Sequence, residues 1–346
     1  MITWLAGVPG GPERTAIFLD SISRLVSYLD ITGGGRLSRL WRERVLMKNK
    51  VDLFLDSGAF SAYTQGVTID IDEYIALIKK YESRITVYAN LDVIGDPIKT
   101  LKNQKYMEAA GLHPLPCFHY KEPIKYLKHY IDTYEYIAIG GMAAYGFSTK
   151  KRADWLDYLF HNFVCDAAGM PKVRVHGYGM TSLKLMIRYP WYSVDSTSWV
   201  VSSRMGQVLV PRWKDNAYSY DDMSLKIQVS SRSPTMKIKG EHISTLNPNL
   251  KEYVLSYFKE KGYRLGKSTF KTEPEAYELK EDERWVGPKK DAKNGKRAVE
   301  VIIEPGVSND YRLRDELDVI YFLDLQKSLP EWPWAFGGIS SGFGLQ

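Results

Sequence analysis

Short apolar runs that stop abruptly on polar or glycine residues recur along this chain. Leu53-Phe54-Leu55 runs into Asp56-Ser57-Gly58-Ala59-Phe60. A run of this length bounded by turn signals reads as a buried parallel strand. Ile2 to Ala6, Arg84 to Ala89, Leu115 to Phe118, Tyr136 to Ile139, Val173 to Val175, Trp191 to Val194 and Gln207 to Val210 repeat the pattern. Between them, helical spacing is expected over Thr15 to Asp30, where Ile17, Ile22, Leu25 and Leu29 share a face. It is also expected over Asp70 to Lys80, from Pro97 to about Ala110, over Pro123 to Tyr130, Lys150 to Ala168 and Ser182 to Arg188. Pro97 suits a first helical turn, where its missing N–H costs nothing.

Eight strands, most followed by a helix, predict an α/β fold of the (β/α)8 TIM-barrel type, with a doubly wound open sheet as the alternative. The eighth helix does not follow the eighth strand directly. The best candidate is Asp310 to Lys327, with Leu313, Leu317, Ile320 and Tyr321 on one face. Residues 1–211 and 297–346 are therefore assigned to the barrel, and 212–296 to an insertion between the last strand and the last helix. Gly33-Gly34-Gly35 reads as a linker, because no strand precedes it and no Gly-Lys-Ser/Thr ends it.

Composition adds limits. The chain has 346 residues, 44% of them hydrophobic and 25% charged. No apolar run is long enough for a membrane span, and the first residues lack the layout of a signal peptide, so no membrane partner and a cytoplasmic location are expected. Two cysteines, Cys117 and Cys165, make neither a disulfide framework nor a four-ligand zinc site by themselves. The net charge of +6 permits a polyanionic partner without demanding one. Its distribution says more: Lys226 to Lys271 holds ten Lys/Arg against three Glu, and Arg284 to Arg297 holds six against Asp291 alone. The first stretch, with Tyr253, Tyr257, Phe258 and Tyr263 near a helix expected over Leu250 to Gly262, is the candidate grip on a phosphate backbone.

Chemistry collects at the strand ends: Asp56-Ser57, Asp92, His119, Gly140-Gly141, His176-Gly177 and Asp195-Ser196. In a barrel these converge on one mouth. Two carboxylates facing one pocket suit glycosyl chemistry, one attacking the anomeric carbon while the other moves a proton. The hydroxyls of Ser57 and Ser196 could keep a neighbouring carboxylate ionised. Gly140 and Gly141 would let a planar ligand approach backbone N–H groups, and Phe60, Tyr145 or Trp199 could stack on a base. His119 and His176 could be metal ligands, but two imidazoles with scattered acids make a weak metal signal, so no metal or other cofactor is expected.

Taken in order, these residues resemble the tRNA-guanine transglycosylase superfamily over roughly residues 50 to 211. Asp56-Ser57-Gly58-Ala59-Phe60 is similar to the family block that carries the general acid/base aspartate. Asp92 falls where the family has a base-reading aspartate, and His119 near a glutamine with the same task. Ile139-Gly140-Gly141-Met142 looks like the stretch whose backbone contacts the base. His176-Gly177-Tyr178-Gly179 looks like the glycine-rich segment before the nucleophile, Val194-Asp195-Ser196 like the nucleophile itself, and Arg204-Met205-Gly206-Gln207 like an Arg-Asn-Gly-Gln that follows it. The family's structural zinc site has no counterpart, since no cysteine and only His242 follow Asp195. A zinc-less relative with a basic replacement looks like the phage and bacterial DNA 7-deazaguanine transglycosylases.

The resemblance implies an enzyme that exchanges guanine in DNA for a free 7-deazaguanine base, such as 7-cyano-7-deazaguanine. Asp195 would be the nucleophile and Asp56 the general acid/base. Ser57, Phe60, Asp92, His119, Gly140, Gly141, Met142, His176 and Gly177 would line the base site. Arg204, Lys237, Lys239, Lys259, Lys261 and Arg264 are the candidates for holding DNA. A tRNA transglycosylase and a non-catalytic nucleic-acid-binding barrel are the alternatives; retention of both Asp56 and Asp195 speaks against the second. A phosphate-binding metabolic barrel would need a glycine-rich loop after the seventh or eighth strand, for which Ser203 to Gly206 is a poor match.

Overall fold

Leu53, Phe54 and Leu55 are all buried, yet they serve two different cores. Phe54 packs with Trp4, Ala6, Leu25, Ala89, Leu115, Cys117 and Ala138, whereas Leu53 and Leu55 pack with Val26, Tyr74, Ile75, Ile78 and Met107 on the other face. Successive strand side chains point to opposite faces, so a strand covered on both reads as continuously apolar. In this computed structural model the described residues are 1–6, 23–33, 52–142, 148–180, 182–220, 224–232, 240–287 and 292–337, with backbone alone at 196 and 198–200.

Eight parallel strands form one sheet: β1 Ile2–Ala6, β2 Arg24–Ser27, β3 Leu53–Asp56, β4 Val87–Tyr88, β5 Cys117–His119, β6 Tyr136–Gly140, β7 Arg174–Gly177 and β8 Ser193–Ser196. Their spatial order is β4-β3-β2-β1-β8-β7-β6-β5. The sheet curls through 255° into a half-barrel and is not a closed barrel. Its edge strands meet at one parallel bridge, Ala89 to Leu115. There the Leu115 N–H donates to the Tyr88 carbonyl at 2.8 Å and the Asn90 N–H to the Leu115 carbonyl at 3.0 Å. The register sets Trp4 beside Asp195, Ser27 beside Asp56 and His176 beside Ser193.

Two differences from the expected strand list have physical reasons. The stretch expected as helix up to Asp30 contains β2, because Leu25 turns inward and Val26 outward, as in a strand; only Tyr28–Thr32 is helical among its described residues. Gln207–Val210 is not the eighth strand of the sheet. As β9 it pairs antiparallel with β12, Leu225–Gln228. Elsewhere the helical expectations hold, except that the helix expected to reach Ala168 becomes a π-helix over Phe160–Val164 and ends there. Ile71–Tyr81 is capped by Asp70, whose carboxylate accepts the Asp72 and Glu73 N–H groups at 2.8 and 3.0 Å. Pro97–Ala109 starts on its proline with Asp96 accepting from Lys99 N at 3.0 Å. Ile124–Thr133 follows β5, Thr149–Leu159 follows β6, and Leu183–Arg188 follows β7.

The chain divides into two compact units, one of residues 1–8, 12–198 and 325–346, the other of 9–11 and 199–324. The second is wider than the expected insertion of 212–296, because β9 and much of the helix Tyr311–Ser328 belong to it. Its core joins Val208, Val210, Ile227, Val254, Tyr257, Phe258 and Leu317, and the Leu209 N–H donates to buried Asp318 at 2.8 Å. The rest comprises the hairpin β10 Arg212–Lys214 with β11 Ala217–Ser219, the helix Pro248–Glu260, and a sheet of β13 Lys267–Pro274, β15 Lys296–Glu304 and β14 Glu283–Trp285 in that order. No helix among the described residues is long and apolar enough to cross a membrane.

Candidate active site

The carboxylate and imidazole candidates Asp56, Asp92, His119, His176 and Asp195 lie near or just beyond the carboxyl ends of strands in the first unit. Asp56 ends β3, and its Oδ2 accepts the Gly58 N–H at 2.9 Å. That turn needs glycine: Gly58 has φ +78°, and a Cβ there would sit 2.6 Å from Ser27 Oγ. Burial pushes the Asp56 carboxyl up to about 6; the Gly58 bond opposes this, and the charges of Asp195 and Asp30 add to it. Asp195 is the penultimate residue of β8 and is 7% exposed. Its Oδ1 accepts the Gly179 N–H at 2.7 Å and lies 3.4 Å from His176 Nε2. The two carboxylates thus feel each other but differ in support.

Asp92 follows β4 and is pushed up to about 7 by burial, with His119 opposing and Asp56 and Glu122 adding. His119, at the end of β5, places Nε2 3.4 Å from Asp92 Oδ2 and 3.5 Å from Cys117 Sγ, and Nδ1 3.4 Å from Glu122 Oε1. Burial works against its positive charge, but its sulfur and carboxylate neighbours outweigh that and hold the imidazole well above its usual pKa. The Cys117 thiol is itself raised by burial to about 12, so Asp92 and Glu122 are the charges that matter near neutral pH. The ligand atoms of Asp92, Cys117 and His119 lie within 4.8 Å of one another and could share a metal ion, provided the metal displaced the thiol proton.

Several other expected residues sit in close contact with neighbouring side chains or backbone. A Cβ on Gly140 would meet Cys117 Sγ and His119 Cδ2, both at 3.0 Å, and one on Gly141, φ +78°, would meet Tyr120 N at 2.8 Å. Gly140 makes room for the side chains of Cys117 and His119, and Gly141 for the Tyr120 backbone. A Cβ on Gly177 would meet Trp191 at 3.2 Å, and Met142 is buried. Ser57 is buried too, and its Oγ accepts the Ala59 N–H at 3.4 Å, so it caps a turn instead of supporting a carboxylate. Phe60 is 58% exposed on the helix Ala59–Gln65. His176 is fully buried, 3.4 Å from Asp195 Oδ1.

Three side chains near the site went unread in the sequence. Glu122 supports His119, and Ser193 Oγ bonds His176 Nδ1 at 2.7 Å. The Tyr178 hydroxyl is buried without a hydrogen-bond partner among the described residues. Burial and the charges of Asp56, Cys117 and Asp92 hold its pKa well above the usual value. Its position between two glycines at a strand end, Gly177-Tyr178-Gly179, was the available signal. A cavity of about 580 Å³ opens instead at the other end of the sheet, where Val87, Pro116 and Tyr136 start or precede their strands.

Of the proposed nucleic-acid contacts, all in the second unit, Lys259 and Arg204 are exposed. Arg264 is exposed but pairs with Glu304 at 3.0 Å. Lys261 is committed internally: its ammonium lies 2.9 Å from Asp324 and over the rings of Tyr218 and Tyr257. Lys237 and Lys239 lie outside the described residues, as do Tyr145, the segment 34–51 and the side chains of Ser196 and Trp199. Compared with known protein families, curated proteins and solved structures, the chain finds no match in any of the three.

Proposed function

We propose that the chain is a pentosyltransferase that exchanges guanine in DNA for a 7-deazaguanine through a covalent aspartyl-glycosyl intermediate. The observation that carries this reading is the inequality of Asp56 and Asp195. Each accepts one backbone N–H, at 2.9 and 2.7 Å, but Asp56 is raised to about 6 by burial, whereas Asp195 Oδ1 also has His176 Nε2 3.4 Å away. Two carboxyl groups kept in different environments are how one pocket separates a proton carrier from a nucleophile.

In the first half-reaction, an Asp195 oxygen forms a bond to C1′ of an unstacked deoxyguanosine, the C1′–N9 bond breaks, and its electron pair takes the proton from Asp56. Flipping that nucleotide out costs a few kcal/mol. Guanine leaves and the free 7-deazaguanine enters. Asp56, now ionised, takes its N9 proton, N9 bonds C1′, and the ester to Asp195 breaks. Asp92 and His119 form a polar wall able to read the guanine-like edge that both bases share. One N-glycosidic bond replaces another, so the balance closes without ATP. DNA is favoured over tRNA because no cysteine follows Asp195 to build the tRNA enzymes' zinc site, and because the basic stretches lie in a unit with its own core.

Intact-protein mass after mixing with a guanine-containing oligonucleotide tests the intermediate. The expected result is a DNA-sized adduct that is absent from Asp195→Ala and released by added guanine. An adduct of equal yield in Asp195→Ala would remove the nucleophile from the scheme.

A further inference from the structure

Behind Asp195 the sheet builds a file of buried polar groups. His176 and Ser193 are direct register partners on β7 and β8, and Asp195, two residues beyond Ser193, projects from the same face of β8. Tyr136 Oη lies 2.7 Å from Ser193 Oγ, which lies 2.7 Å from His176 Nδ1. His176 Nε2 then lies 3.4 Å from Asp195 Oδ1, and the imidazole side chain is 0% exposed. Phe54 and Tyr178 flank the ring, with centroids at 4.7 and 4.6 Å. A fully buried polar ring held this way is not available to a base.

We propose that His176 is a positioning residue: Ser193 fixes it as the neutral tautomer with the proton on Nε2, and that N–H holds Asp195 Oδ1 so that Oδ2 faces the sugar. The proton directions follow from counting donors. If the Tyr136 hydroxyl donates to Ser193 and Ser193 to His176 Nδ1, then Nε2 carries the ring proton and points it at a carboxylate. With the proton on Nδ1, a lone pair on Nε2 would face a carboxylate oxygen, and two acceptors would be set against each other. Nε2 is buried with no hydrogen bond of standard geometry among the described residues, and the first arrangement turns its donor toward the nearest charged atom, Asp195 Oδ1 at 3.4 Å, while aligned donors behind it reinforce one another. Gly179 N–H also ends on Oδ1, at 2.7 Å, and among the described residues no donor is bonded to Oδ2. Burial lowers the His176 pKa, with Asp195 opposing, which agrees with a neutral ring. The catalytic part of the inference rests on reading Asp195 as the nucleophile; the tautomer does not.

The test compares His176→Gln, which can place an amide N–H near the Nε2 position, with His176→Phe, which keeps the ring volume and no donor. In guanine exchange into DNA, His176→Phe is expected to lose about 100-fold or more in kcat, the scale of one preorganised donor. KM for DNA should stay within about twofold, and His176→Gln should recover about tenfold of the loss. Equal activity in the two variants would overturn the positioning role. Imidazole ¹⁵N–¹H spectra of the full chain give a readout independent of turnover. Wild type should show an Nε2–H neutral ring, and Ser193→Ala should weaken that preference. An Nδ1–H ring in wild type overturns the inference even if exchange is seen. An Nε2–H ring that depends on Ser193, in a protein that exchanges no base, upholds the hold on Asp195 and overturns the proposed function instead.

Discussion

Asp56 and Asp195 share a residue type and a place near a strand end, and differ in what surrounds them: Asp195 Oδ1 has Gly179 N–H at 2.7 Å and His176 Nε2 at 3.4 Å. Asp56 has a folded-state pKa of about 6 against an ordinary 3.8. A carboxyl raised on folding contributes stability that is complete below about pH 4 and is lost as the pH climbs through about 6. Asp56→Asn removes the titration while keeping an oxygen for the Gly58 N–H. The variant should therefore match wild-type stability near pH 4 and exceed it by roughly 2–3 kcal/mol at pH 8, since a tenfold change in proton affinity is worth about 1.4 kcal/mol. Denaturant midpoints at the two pH values check this; an identical offset at both would mean the burial of Asp56 carries no such cost. The same variant should lose about 10²- to 10⁴-fold in exchange rate, the usual range for a general acid/base. A more stable but inactive protein is what a strained working residue predicts.

At the scale of elements, the turn after β3 joins fold to chemistry. Gly58→Ala must place a Cβ 2.6 Å from Ser27 Oγ at φ +78°, which costs about 1–3 kcal/mol and displaces the N–H bonded to Asp56. Gly66→Ala has a similar φ of +67° but open space around it, so it should cost only about 1–2 kcal/mol and leave exchange intact. Thermal midpoints and rates for the pair separate backbone strain from damage to the site. The elements that were legible in the sequence were those with one dominant signal: Ile71–Tyr81 with its Asp70 cap, Pro97–Ala109 with its proline, β3 and β8 with aspartates at or next to their ends. β2 was hidden because Leu25 and Leu29 also satisfy helical spacing. β9 was misassigned because an apolar run does not state its pairing direction, and its partner β12 comes later in the chain. At the site the aspartates were readable as carboxylates that stop strands. The burial of His176, the support from Glu122 and Ser193, and the filled space beside Gly140 depend on neighbours brought together only by the sheet.

Over the whole molecule, the polar strand-end residues lie in one unit and the stretches rich in lysine and arginine in the other. Sequence counts treat every lysine of the second unit alike, but burial does not. Lys261 already neutralises Asp324, so Lys261→Ala should lower stability and leave the salt dependence of DNA binding unchanged. Lys259 is exposed, and if it meets a phosphate, Lys259→Ala should reduce the slope of log affinity against log salt by about one. Binding isotherms at several salt concentrations separate the two. Base exchange through Asp195 is tested most directly by incubating the protein with labelled guanine and either duplex DNA or tRNA, wild type beside Asp195→Ala. The expected result is label in DNA, none in tRNA, and none in either with the variant. Label entering DNA equally well with Asp195→Ala, or entering only tRNA with wild type, would contradict it.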